Sequence, residues 1–216
     1  MIRVLINGWA TDESIWHRVA DKVNDPVLLN WNDVLQGDFS LPRRCILAGW
    51  SLGGQLAMDL SHRPEVAGMV LISSMTCLHG DGERPGRKPL HGTTVTGLLY
   101  RSRRGYLKSF FRECGAEDSR AEELLRLSES FPMEELVNGL DSMFNRVACP
   151  STSVRTVVIH GTHDRIVPYA TAEYLTDKVL KGSDLISVDG GNHLLPLSKP
   201  ELIAKVVNDL ACSVGS

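Results

Sequence analysis

The strongest constraint on how this chain can fold is a recurring pair of signals: a short, mainly apolar run, then apolar residues at helical spacing. The runs occupy residues 4–6, 27–29, 45–49, 69–72, 156–159 and 185–188. They lack the strict apolar–polar alternation of a half-wet strand, so each reads as a strand covered on both faces. Helical stripes follow at residues 14–23, where Ile15, Val19 and Val23 recur at intervals of four, and at 52–62, 169–180 and 200–211. Strand and helix in alternation predict an α/β fold: a compact, mostly parallel sheet of about six strands with helices on both faces.

Composition excludes several function classes. With 43% hydrophobic and 23% charged residues in a 216-residue chain, disorder and fibrous repeats are ruled out. A net charge of −3 is too mild for nucleic-acid binding by bulk electrostatics. No apolar run approaches the roughly 20 residues of a membrane span. The opening residues Met1 to Gly8 read directly as a strand running into a turn, not as a secretory signal. Cysteines at 45, 77, 114, 149 and 212 are odd in number and lack metal-ligand spacing, which points to reduced thiols and a cytoplasmic protein without a metal.

The alternation is suspended over residues 76–150, which read as a helical insertion forming a lid over a core made of 1–75 and 151–216. Residues 80–97 hold seven glycines or prolines and read as loop. Leu107, Phe110 and Phe111 have helical spacing, Ser119-Arg120-Ala121-Glu122 reads as a capping box, and Pro132 opens a stripe of Leu136, Val137, Leu140, Met143, Phe144 and Val147.

Gly49-Trp50-Ser51-Leu52-Gly53 is a G-x-S-x-G match between a predicted strand and a predicted helix. In that setting the turn is tight, side chains at the glycines would strike neighbouring backbone, and the serine hydroxyl is exposed beyond the strand's carboxyl end. A nucleophilic serine needs a base, and the base needs an acid to fix its tautomer. Asp164 follows the strand at 156–159 and His193 follows the strand at 185–188, in the chain order Ser, Asp, His. Both therefore sit at carboxyl ends of parallel strands, where ligands gather. Asp189 is the alternative acid, with a turn role before Gly190-Gly191 preferred. His160 and His163 read as loop structure, His17 and His62 as solvated, and His79 and His91 as insertion residues without a spacing argument. The backbone N–H groups of Leu52 and of Trp9, in the turn after the first strand, are the expected oxyanion donors. Trp9, Trp50, Phe110 and Phe111 are the expected substrate-binding surface.

With these residues in place the chain resembles the α/β-hydrolase superfamily over nearly its whole length. Within it, Gly49-Trp50-Ser51-Leu52-Gly53-Gly54 is similar to the nucleophile motif of the pimeloyl-acyl-carrier-protein methyl ester esterases of biotin synthesis. Asn7-Gly8-Trp9 is similar to that family's His-Gly-Trp loop, Asp164-Arg165-Ile166-Val167-Pro168 to its Asp-x-x-Val-Pro, and His193 keeps its spacing to Ser198 and Pro200. Leu136-Val137-Asn138-Gly139-Leu140 resembles its lid helix. The chain departs from that pattern at Asn7, where histidine is usual, and at Asn192, where glycine commonly precedes the histidine. It also starts at the strand before the oxyanion loop, without the amino-terminal strands of most relatives. The resemblance implies a cofactor-free serine carboxylesterase that works through an acyl-enzyme on a small acyl ester, presented on an acidic acyl carrier protein if the likeness to the pimeloyl-carrier esterases holds.

Charge in the insertion adds a partner argument. Residues 83–112 carry eight basic side chains and one acid, and residues 113–135 carry two basic and eight acidic ones. Arg101, Arg104, Lys108 and Arg112 fall at helical spacing and are the candidates for docking an acidic carrier; neutralisation between adjacent helices is the competing reading. Thioesterase, carbon–carbon hydrolase and menaquinone-pathway lyase chemistries share the scaffold and the triad. A non-catalytic receptor that keeps the pocket is the alternative of another class, against which an intact Ser51, Asp164 and His193 argue.

Overall fold

The computed structural model describes residues 1–87 and 92–215. Six strands form one sheet: β1 (Ile2–Ile6), β2 (Pro26–Leu29), β3 (Cys45–Trp50), β4 (Val66–Ile72), β5 (Arg155–Gly161) and β6 (Asp184–Val188). Their order is β2-β1-β3-β4-β5-β6, and every neighbouring pair is parallel. The apolar runs have the cause expected of them. β3 is buried at every position, whereas the edge strands β2 and β6 stay partly exposed.

Parallel neighbours need crossovers; α1 (His17–Ala20), α2 (Trp31–Gln36), α3 (Leu52–Leu60) and α8 (Ala170–Tyr174) lie in them, while α9 (Leu195–Ser198) leads into α10 (Pro200–Ser213) after the last strand. Helices α1 and α10 pack together, as do α2 and α3, and both α3 and α10 lie on β3 and β4. Strand order reverses between β1 and β3, whose register pairs Ile6 with Gly49. The turns after these two strands are therefore neighbours at the carboxyl edge of the sheet, the crevice where such sheets bind ligands.

Several expectations are corrected. The helix foreseen over 14–23 is a 3-10 turn at Glu13–Trp16 plus the short α1, because the Asp12 carboxylate accepts from the backbone N–H of Ser14 and tightens the entry. Helix α8 runs on as a wider π turn at Leu175–Val179. Helices α2 and α9 have too few residues to show a periodic stripe; the Asn30 cap of α2 was its one local signal.

Four helices make up the insertion among the described residues: α4 (Gly92–Arg101), α5 (Arg103–Glu113), α6 (Asp118–Ser128) and α7 (Met133–Asn145). Part of the loop foreseen over 80–97 is thus α4, anchored by buried Val95 and Leu99; Lys88 and His91 lie outside the described residues. The capping box at Ser119 does not form. Helix α6 starts one residue earlier, and Glu122 instead pairs with Arg104 and Lys108. The stripe of α7 buries Leu136, Leu140 and Met143, while Val147 lies past the helix end and is exposed. No helix among the described residues is long and apolar enough to cross a membrane.

Burial sorts the thiols. Cys45, Cys77 and Cys114 are buried, and Cys149 and Cys212 are exposed. Burial, helped by nearby Glu65, pushes the Cys45 thiol up to about 11, and burial raises Cys114 well above its ordinary value. Ellman's reagent should therefore modify two thiols in the native protein and five after unfolding in denaturant. Fast modification of three or more native thiols would contradict this packing.

Candidate active site

The site begins at the turn between β3 and α3. Ser51 has φ 55° and ψ −121°, a backbone state that L-residues rarely adopt. Two close approaches hold it there. A Cβ on Gly53 would overlap the carbonyls of Ile6 and Asn7, and one on Gly49 would overlap the backbone of Gly53 and Gly54. The Ser51 N–H donates to the Ile72 carbonyl at 2.9 Å, and Ser74 Oγ donates to the Ser51 carbonyl at 3.0 Å. The turn is tied to β1 on one side and β4 on the other.

Two further loops meet Ser51. His193 Nε2 lies 3.0 Å from Ser51 Oγ, and His193 Nδ1 lies 2.8 Å from Asp164 Oδ2. The other carboxylate oxygen, Asp164 Oδ1, accepts the N–H groups of Ile166 at 2.8 Å and Val167 at 2.9 Å. Burial alone would raise the Asp164 carboxyl, but His193 beside it, with His160 and the Val167 N–H, holds it below its usual value. A buried carboxylate facing Nδ1 makes that nitrogen the donor, so Nε2 accepts from the Ser51 hydroxyl. Asp189 plays no part in this chain of bonds: it is exposed in the turn before Gly190 and, among the described residues, its side chain meets only Thr162 Oγ1, at 3.4 Å.

Trp9 and Leu52 flank the serine from the two neighbouring turns. Among the described residues neither backbone N–H has an acceptor, which leaves both as available donors. Asn7 is fully buried and stitches this turn: its Oδ1 accepts the Trp31 N–H at 2.9 Å and its Nδ2 donates to the Thr11 carbonyl. The side chain of Trp9 reaches the insertion. Its Nε1 donates to the Leu136 carbonyl at 2.8 Å, its ring meets Phe110 edge-on at 5.1 Å and Tyr106 at 6.3 Å, and a Cβ on Gly139 would strike it.

Other candidates take different places. Trp50 is 1% exposed; its ring lies against Gly8 and its Nε1 donates to the His193 carbonyl at 2.8 Å, so it braces the histidine loop. Phe111 is completely buried within the insertion, unlike Phe110, because it faces the helices' own core. Phe110 lines a cavity of about 110 Å³ with Arg87, Val95, Tyr106, Glu113 and Phe144. A larger cleft of about 420 Å³ between α2 and α7 contains none of these residues. The basic stripe is engaged: Arg104 bridges Glu122 and Glu129, Lys108 bridges Glu122, Arg112 bridges Asp118, and Arg103 donates to the carbonyls of Ser128 and Phe131. Neutralisation between α5 and α6 is what the structure shows, and Arg101 remains exposed. His160, read as loop structure, is fully buried at the end of β5, 3.5 Å from Asp164 Oδ2. Its place before Gly161 at a strand terminus was the signal for it.

Comparison with known proteins bears on the family and the fold. A profile of the Alpha/beta hydrolase family matches residues 8–206. The pimeloyl-[acyl-carrier protein] methyl ester esterase of Aromatoleum aromaticum is 27% identical over 245 aligned positions, covering 96% of this chain and 96% of the relative. The protein of the same name from Yersinia enterocolitica is 25% identical over 241 positions, covering 96% and 92%. An esterase from Exiguobacterium antarcticum superposes with a TM-score of 0.80 at 17% identity, over 100% of this chain and 92% of that one. The enol-lactonase of Burkholderia xenovorans does so with 0.78 at 16%, over 98% and 91%. At those identities the two structures speak for the fold alone.

The Asp164 carboxyl also makes a stability prediction. A carboxyl held below its unfolded value stabilises the fold fully above the ordinary carboxylate range, and that share is lost as pH falls through its folded value. Asp164→Asn should therefore be less stable than the natural protein at pH 5, by about 1–3 kcal/mol, with the gap closing towards pH 3. Thermal unfolding of both proteins across that range checks it, and a gap that widens on acidification would contradict it.

Proposed function

We propose that this chain, which belongs to the alpha/beta hydrolase family, is a serine carboxylesterase that cleaves its ester in two steps through an acyl-enzyme. The observation that carries this is the continuous relay from Ser51 Oγ to His193 at 3.0 Å and on to Asp164 at 2.8 Å, starting on a strained turn. Ser51 Oγ attacks the ester carbonyl while His193 Nε2 takes its proton, and Asp164 fixes the imidazole's tautomer and stabilises the imidazolium. The N–H groups of Leu52 and Trp9 receive the developing oxyanion, each such donor being worth about 10²–10³ in rate. His193 then returns its proton to the leaving alcohol. Water, activated in turn by His193, releases the acid and restores Ser51.

Residues 76–150 serve in this reading as the lid. The bond from Trp9 to Leu136, and the packing of Tyr106 and Phe110 on the same indole, support it by placing the insertion against the oxyanion turn. Phe110 and the cavity beside it are the candidate surface for the acyl chain. Two relatives named for a pimeloyl-carrier methyl ester, aligned over 96% of the chain, favour that ester as the substrate, with methanol as the leaving group. The ion pairs of Arg104, Lys108 and Arg112 leave Arg101 as the candidate cation for a carrier contact, so electrostatic steering is expected to be weak.

Steady-state kinetics test this reading. Ser51→Ala should lower kcat on a methyl pimeloyl carrier ester by about 10⁴–10⁶. The natural enzyme should release methanol and leave the carrier thioester intact. Faster cleavage of the thioester than of the methyl ester would make it a thioesterase, and turnover that survives Ser51→Ala would remove the serine mechanism.

A further inference from the structure

His160 is a completely buried imidazole that the two-step reaction does not use. It is the last residue but one of β5, four residues before Asp164. Its Nε2 lies 3.0 Å from the Val167 carbonyl and 3.5 Å from Asp164 Oδ2, the same oxygen that receives His193 Nδ1. A carbonyl oxygen can only accept, so Nε2 must carry the proton. The opposite nitrogen, Nδ1, is buried without a partner among the described residues. Protonating the ring would place a charge in this dry site and leave a second N–H with nothing to meet, so the neutral ring with hydrogen on Nε2 is the form that fits. Burial presses the same way and outweighs the opposing pull of Asp164.

We infer that His160 is a positioning residue for Asp164: one Nε2–H closes the turn onto the Val167 carbonyl and leans on Asp164 Oδ2, sharing that oxygen with His193. This has two consequences. The turn cannot swing Oδ2 away from His193, because the Val167 N–H holds Oδ1 while the Val167 carbonyl is held by His160. The second N–H dipole also draws off part of the carboxylate's negative charge, which tempers the pull of Asp164 on the imidazolium of His193. The groups facing this pair are few. Tyr169 meets the His160 ring edge-on at 6.1 Å, its hydroxyl engaged with Ser187, and Cys114, just past the end of α5, faces Asp164 as a thiol raised by burial. Neither carries a fixed charge that could stand in for His160.

The inference rests on the triad reading above, and the test separates the two. In His160→Phe, a ring of similar size without the N–H, the acid limb of the kcat/KM–pH profile should move upward by about half a pH unit, a roughly threefold change in the acid constant, because His193 then faces a less shared carboxylate. His160→Gln, which can again present an N–H, should bring the limb back towards its natural position. A limb unmoved in a folded His160→Phe, or moved equally in both variants, would reduce His160 to packing. Nitrogen-15 NMR of the unsubstituted protein needs no variant to fold: it should show His160 neutral with hydrogen on Nε2 at neutral pH, and a protonated ring or the opposite tautomer would overturn the proposal. Asp164→Asn is the control; if it leaves rate and limb unchanged, the triad reading has failed and takes this role with it.

Discussion

The approach of the β3–α3 turn to the end of β1 is the contact on which the rest of this molecule depends. Gly53 sits so close to the carbonyls of Ile6 and Asn7 that no side chain could occupy its place. That contact locks the strained backbone of Ser51 and sets the position of the Asn7–Trp9 turn relative to it. Strain of this kind, of order 1–3 kcal/mol, persists only where the surroundings over-determine it. Here the surroundings are a parallel sheet whose β1 and β3 are in register from Ile2 and Cys45 to Ile6 and Gly49. The Ser51 turn and the Asn7–Trp9 turn thus follow the carboxyl ends of two neighbouring parallel strands.

The second dependence is electrostatic. Asp164 and His193 are both buried, and an unpaired charge there would be costly. The carboxylate is met on one oxygen by the Ile166 and Val167 N–H groups and on the other by His193, with His160 close by. Such a fully partnered carboxylate orients the imidazole at little reorganisation cost when charge develops. The insertion is connected to the same machinery from the other side, through the Trp9 indole and the Asn192 amide, whose Nδ2 meets the Gly115 carbonyl at 3.4 Å.

Much of this was legible in the chain itself, and the exceptions have physical reasons. Strands such as 45–49 and 69–72 announce themselves because burial on both faces demands uninterrupted apolar residues. Ser51, Asp164 and His193, which the structure brings within hydrogen-bonding distance, could be singled out because each follows a strand, in the chain order Ser, Asp, His. Contacts at a distance in the chain were not. Trp50 looked like a wall of the pocket, but its N–H is drawn to the His193 carbonyl, 143 residues away. Arg104 and Lys108 looked like a docking stripe, yet Glu122, read as part of a cap, is their partner across the helix pair. Nothing local distinguishes a surface cation from one already paired.

The central claim is that Ser51 forms the covalent bond while the two neighbouring turns hold the oxyanion. The most direct measurement is a crystal structure of the protein after reaction with a methyl alkylphosphonate ester carrying a good leaving group, whose adduct mimics the tetrahedral intermediate. The expected result is a phosphorus atom bonded to Ser51 Oγ, with its phosphoryl oxygen about 2.7–3.1 Å from the N–H groups of both Trp9 and Leu52. A phosphonate attached to another residue, or one on Ser51 whose oxygen turns away from both N–H groups, would contradict it.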